Sequence, residues 1–302
     1  MPLQISVIVC THNPRVDLLA RTLDGLRDQT LPTVQWELII VDNASRIPVA
    51  ADLSWHPAAR IVVEAELGLT HARLRGIAEA RSDLLVWVDD DNILAPDYLA
   101  LAAAIGVERA DLGVWGCGHF DPEWEVAPAP ELTPFLEYLA VGSKPQDSTS
   151  REPFAYSALP PGAGMCVRAA VARAYADSVR NDPRRKLLGR SGVSLGGCED
   201  FDLGQAAIRR GLGTGIFVRL RITHLMPAAR VRKEYLERLV EGHAYSTTIL
   251  YHLYDRPAPK PRRGLLACLH RLNYHRSLSR IERCIDNARR RGELAAHRLL
   301  DS

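Results

Sequence analysis

The sequence predicts an α/β protein: a mostly parallel sheet with helices on both faces, followed by a helical C-terminal extension. Three observations lead there. Apolar runs of strand length alternate with amphipathic helical stretches through the first hundred residues, and near-continuous apolar strands are those buried on both faces, as parallel strands are. Polar clusters close three of those runs. From about residue 230 the pattern turns helical, broken at Pro257, Pro259 and Pro261.

ISVIVC (5–10) is a β-rich apolar run, and DLLARTLDGLRDQ (17–29) then sets Leu18, Leu19, Leu23 and Leu26 on one helical face. ELIIVD (37–42) and ARIVVE (59–64) read as strands, LTHARLRGIAEAR (69–81) as a helix and LLVWV (84–88) as a buried strand. A helix over 96–105 opens with Pro96 and Asp97, a normal start. A Pro-rich irregular stretch runs from 118 to about 160, and PPGAGMCVRAAV (160–171) reads as a Gly-rich turn entering a helix. The basic, Gly-rich segment 181–197 reads as a mobile candidate lid. CEDFDLGQAAIRRG (198–211) is an acidic helix start with Gly211 as its stop, and GIFVRLRITH (215–224) a strand ending on His224.

A chain of 302 residues, 47% hydrophobic and with net charge +2, can bury one large or two modest cores. Neither a signal peptide nor a membrane-spanning run is expected. Six cysteines (Cys10, Cys117, Cys166, Cys198, Cys268, Cys284) show neither CxxC pairs nor zinc spacing, which points to a reducing, cytoplasmic setting. Residues 256–302 hold twelve Lys/Arg against four Asp/Glu, so a basic tail follows a mildly acidic body.

The most informative stretch is VWVDDDNILAPD (86–97), where a core strand delivers Asp89, Asp90 and Asp91 together. Adjacent carboxylates resist ionising unless a cation sits nearby, so the triad is either a solvated turn or a site with a positive partner. Thr11-His12-Asn13 and Asp42-Asn43 close two other strands, and in parallel sheets ligands sit outside the carboxyl ends. Mg²⁺ or Mn²⁺ would relieve the repulsion and complete its shell with substrate phosphates. His224 would add an imidazole ligand.

SVIVCTHNP, ELIIVDNAS, GLTHARLRGIAEARSDLLVWVDDDN, PPGAGMCVR and GGCEDFDLGQAAIRRG, in that order, resemble a family 2 glycosyltransferase of the inverting GT-A type, from about Ile5 to His224. The resemblance implies a GT-A-type nucleotide-binding sheet in a catalytic domain over 1–229, with a nucleotide half to about 118 and an acceptor half from 119. Residues 230–302 form the basic helical extension outside it. It implies a nucleotide-diphosphate sugar donor, UDP-linked first, held by Thr11, Asn13, Asp42, Arg73, Asp89, Asp90, Gly162 and Gly164. It also implies a metal, Mn²⁺ or Mg²⁺, at the DxD position on Asp91 and Asp89 with His224. Asp200, with Glu199 as second choice, is then the base that takes the acceptor's proton. The plainer readings are a surface helix arginine for Arg73, a simple turn for the glycines and macrodipole-placed acids for Glu199-Asp200.

The acceptor is expected to be a glycan or lipid-linked sugar of bacterial surface polysaccharide or glycoconjugate assembly. A sugar nucleotidyltransferase needs a Gly-rich phosphate loop after the first strand, and CTHNPRVD has no glycine. A dinucleotide oxidoreductase lacks its GxGxxG for the same reason. An inactive nucleotide- or sugar-binding protein of the same fold is the non-enzymatic rival. In the tail, Leu265, Leu266, Leu269, Leu272, Leu278, Ile281 and Ile285 recur at near-helical spacing among arginines. That pattern fits helices packed on the body or on a second subunit, or a peripheral contact with the inner face of the membrane. Nucleic acid is not expected, because interleaved aromatics are missing.

Overall fold

The computed structural model describes residues 3–192, 194–258 and 274–301. Its centre is one mixed sheet. Strands β1 (Ile5–Thr11), β2 (Trp36–Asn43), β3 (Ala59–Glu64) and β4 (Leu84–Asp89) pair in parallel in the order β3-β2-β1-β4. The short β5 (Asn92–Leu94), the long β6 (Leu112–Trp124), β7 (Gly142–Ser143), β8 (Ser148–Ser150), β9 (Cys166–Arg168) and β10 (Gly213–Met226) continue it. β6 and β10 are parallel, whereas β5, β7, β8 and β9 join antiparallel. The long pairings are therefore parallel, as expected, and the short strands make the sheet mixed.

Helices cover both faces. On one side α1 (Val16–Arg27) buries Leu18, Leu19, Leu23 and Leu26 and α3 (Tyr98–Glu108) buries Tyr98, Leu99, Ala102 and Ile105, in a core with Val7, Val9, Ile40 and Trp115. On the other, α2 (Leu69–Glu79), α4 (Ala169–Asn181) and α5 (Glu199–Arg209) pack on Ile8, Ile39, Trp87 and Val114. Each fully buried aliphatic side chain stabilises the fold by roughly 1.5–3 kcal/mol.

Two sequence expectations are corrected. The turn 160–165 enters β9 before α4 begins, a strand between two established neighbours that the Gly-rich reading omits. The candidate lid is seated in its first half: Pro183–Leu188 forms a 3-10 turn whose Arg185 is buried and ion-paired with Asp202, and Leu188 is in the core. The irregular stretch holds the end of β6 and a 3-10 run, Pro130–Leu139.

The C-terminal region is α6 (Lys233–Leu253) and α7 (Arg280–Leu300). Ser279 and Glu282 form a reciprocal capping box that starts α7. The apolar stripe Ile285, Ala288, Gly292, Ala296 lies against α6. Gly292 is needed for this approach, since a Cβ there would stand 2.1 Å from the Glu241 carbonyl. Ile285 packs with Leu236 and Leu239, and Ala296 with Ile249 and Leu250, so the two helices run in the same direction. The stripe over 280–300 is thus covered within the chain; Leu265, Leu266, Leu269, Leu272 and Cys268 lie outside the described residues. Among the described residues, no helix is long and apolar enough to cross a membrane, and the five cysteines are free.

Candidate active site

A cavity of about 810 Å³ opens at the carboxyl ends of β1 and β4. This is where the strand order reverses, β1 lying between β2 and the later β4, and such reversals leave a crevice for ligands. Thr11, Arg73, Asp89, Asp90, Asp91, Gly162, Glu199, Asp200 and His224 all line it. Asn13, Asp42 and Gly164 do not. Asp42 is buried, and its two oxygens accept from the backbone N–H of Ser45 and Val49, bracing the loop after β2. Asn13 is exposed in the left-handed region (φ 48°) and its Oδ1 accepts from Arg46 N–H. Gly164 (φ 70°) accepts from Tyr98 Oη at 2.6 Å, where a Cβ would collide with Tyr98 and Ile222. Gly162 does face the cavity, and a Cβ there would meet Arg73 Nη2 at 2.2 Å.

The Asp triad is not a solvated turn. Asp91 is 3% exposed, and Asp89 and Asp90 are half-buried. Its cationic partner is Arg230, which ion-pairs with Asp91 Oδ2, while Asn92 Nδ2 donates to Oδ1 at 2.9 Å. Burial opposes ionisation of Asp91, but the Arg230 guanidinium outweighs it and holds its carboxyl below the ordinary range. Asp90 goes the other way: burial first, then the charge of Asp91, push it up, although Thr11 donates to its Oδ2. Splitting two neighbouring carboxylates in this manner is how like charges coexist in one site.

His224 is 4% exposed, with Nδ1 3.2 Å from the Ala140 carbonyl. That contact assigns the proton to Nδ1 and leaves Nε2 as an acceptor, 3.6 Å from Asp91 Oδ1. The carboxylate oxygen fits the donor preference of Mn²⁺ or Mg²⁺, and the imidazole nitrogen beside it favours Mn²⁺, the softer of the two. Among the described residues, no group of three or more His, Cys, Asp or Glu is arranged to hold an ion. An ion there would rest on Asp91 and His224, with phosphate and water needed to complete its shell.

The second acidic group stands where α5 begins. Glu199 is 5% exposed; Arg73 Nη1 donates to its Oε1 at 3.0 Å, and its Oε2 has no partner among the described residues. Arg73 is itself buried, its guanidinium 4.7 Å from the Trp87 ring centre. Its place is thus beneath the Glu199-Asp200 pair. Burial raises Glu199 despite Arg73, and the neighbouring Asp200 adds to the shift. Asp200 is partly exposed to the cavity, and its oxygens accept from Phe201 N–H and Gly162 N–H at 2.8 and 2.9 Å. Burial raises its pKa, against Arg73 and these two donors.

Sequence reasoning missed Arg190, Arg230, Tyr235 and His243, which also line the cavity. The last three lie past the nominal boundary at 229, so the start of the C-terminal extension forms part of the wall. The only signal for Arg230 in the sequence was its distance of six residues from His224.

Comparison with known proteins bears on the same segment. The family model described as Glycosyl transferase family 2 matches residues 6–132, from β1 through the Asp triad and β6. Over residues 6–132 the chain is thus similar to glycosyl transferase family 2. Among relatives, Uncharacterized glycosyltransferase YwdF of Bacillus subtilis is 34% identical over 111 residues, 36% of this chain and 40% of that protein. Validoxylamine A glucosyltransferase of Streptomyces hygroscopicus subsp. jinggangensis is 32% identical over 141 residues, 44% of this chain and 32% of its own length. Glucosyl-dolichyl phosphate glucuronosyltransferase of Haloferax volcanii is 24% identical over 144 residues, 46% of this chain and 45% of its length. The chain thus spans less than half the length of these relatives. Among solved structures, S. aureus TarS 1-349 in complex with UDP-GlcNAc aligns with TM-score 0.48 and 14% identity, over 84% of this chain and 72% of that one.

Proposed function

We propose that the protein is an inverting glycosyltransferase that moves a sugar from a nucleotide-diphosphate donor to a hydroxyl acceptor. The observation that carries this is one cavity walled by both the Asp89–Asp91 group and the Glu199-Asp200 group, built partly on the family 2 segment. The donor's diphosphate lies at the first wall, near Arg230 and Arg190, and the acceptor hydroxyl at the second. Asp200 is the base. It borders the cavity with an unusually basic carboxylate, whereas Glu199 is tied to Arg73 and buried. The acceptor oxygen forms its bond to the anomeric carbon as its proton passes to Asp200. The bond from that carbon to the diphosphate oxygen breaks, and the nucleoside diphosphate leaves. One displacement inverts the centre.

A divalent ion, Mn²⁺ or Mg²⁺, held by Asp91 and His224 would neutralise charge on the departing diphosphate. UDP is the first nucleotide to test. A glycan or lipid-linked sugar of bacterial surface glycoconjugate assembly is the acceptor class we favour; the Haloferax relative's name carries a lipid-linked sugar. The setting is cytoplasmic, with the exposed Arg280 and Arg298 of α7 available to anionic headgroups.

The test is donor turnover, by transfer or by slow hydrolysis, with UDP-, GDP-, dTDP- and CMP-sugars. One of the three diphosphate classes should be consumed, and the CMP-sugar, with its single phosphate, should not. Because its base has a raised pKa, kcat/KM should climb with pH through a limb above the ordinary aspartate range. Consumption of none of the three diphosphate classes contradicts the reading.

A further inference from the structure

Arg230 stands on the short turn Ala228–Val231 between β10 and α6. Its guanidinium ion-pairs with Asp91 Oδ2, while its Nη1 lies 3.1 Å from His224 Nε2. One side chain therefore engages both groups that would hold a divalent ion. With the ring proton on Nδ1, bonded to the Ala140 carbonyl, Nε2 offers a single lone pair, and two cations at contact distance repel. An ion and the guanidinium cannot share these donors. Arg230 is nevertheless not sealed in: its side chain is 21% exposed and borders the cavity. A diphosphate offers a guanidinium more negative charge than one carboxylate does, and a geometry that its planar fork matches.

We propose that Arg230 is the exchangeable counter-ion of the donor site. In nucleotide-free protein it occupies Asp91 and His224; when a nucleoside diphosphate and a divalent ion arrive together, it moves onto the diphosphate and yields those donors to the ion. This rests on the assignment of the ion to Asp91 and His224. The ion alone then binds weakly, because it must displace a guanidinium that has nowhere else to go. The nucleotide supplies that destination.

The test is Mn²⁺ binding to the full chain, read from the paramagnetic resonance signal of the free ion, with and without UDP. In Arg230→Gln, Mn²⁺ alone should bind roughly tenfold or more tighter than in wild type, the scale expected on removing one like charge in contact with the site. UDP should then tighten Mn²⁺ less than it does in wild type. Arg230→Lys serves if the glutamine variant fails to fold: a point charge cannot hold both groups, so Mn²⁺ alone should again bind tighter than in wild type. Unchanged or weaker binding of Mn²⁺ alone in the folded variants, with UDP-dependent Mn²⁺ binding intact, overturns the role of Arg230 and leaves the metal assignment standing. UDP binding that no protein couples to Mn²⁺ removes the metal assignment, and the proposal with it.

Discussion

Asp91 and Glu199 line one cavity, both nearly fully buried and both paired with an arginine, yet their ionisation is driven in opposite directions. The difference lies in the number of donors each carboxylate meets. Asp91 has Arg230 on one oxygen and Asn92 on the other. Glu199 has Arg73 on one oxygen and, among the described residues, nothing on the other, with Asp200 next to it in the chain. An arginine contact alone does not offset burial; a carboxylate with both oxygens satisfied does. The well-satisfied pole suits a fixed negative anchor for a cation, and the under-satisfied pole suits proton chemistry.

The contrast can be broken from either side. The largest effect is expected in Asp200→Asn, which removes the proposed base: transfer should fall by about 10²–10⁴-fold, with steady-state turnover as the readout. Next comes Arg73→Met, which strands Glu199 and should destabilise the fold by about 3–5 kcal/mol at pH 8, measured by urea unfolding. Glu199 is raised to about 7, so it takes up a proton below that pH, and the penalty should shrink at pH 5. The smallest effect is at Asp90, also raised to about 7. A carboxyl raised on folding contributes stability that is present below its unfolded pKa and lost as pH rises through the folded one. Asp90→Asn should therefore stabilise the protein at pH 8 and leave it nearly unchanged at pH 4, seen as a pH-dependent shift in Tm.

Which parts of this were legible in the sequence follows from how local each signal is. Strands β1, β2 and β4 announce themselves because a strand buried on both faces must be apolar along its whole length, and the polar residues at their ends mark the carboxyl edge. The Asp triad was legible as a charge anomaly, and the ordered motifs tied it to Glu199-Asp200. Strand β9 was not, because three residues between a tight turn and a helix carry no periodicity of their own. Arg185 read as part of a basic loop, yet it is buried against Asp202 and Tyr254, a pairing that only the docking of α5 and α6 creates. Arg230, Tyr235 and His243 belong to the site through the path of the chain after β10. The apolar stripe of α7 was legible, but its partner was not, since any helix with a matching groove satisfies the same pattern.

The most direct measurement is calorimetric titration of UDP, in the presence of Mn²⁺, into wild type, Asp91→Ala and Asp200→Asn. If the first pole holds the donor and the second does the proton chemistry, Asp91→Ala loses nucleotide affinity while Asp200→Asn binds as wild type does and fails to turn over. Wild-type affinity in Asp91→Ala, or lost nucleotide binding in a folded Asp200→Asn, would contradict that division of labour.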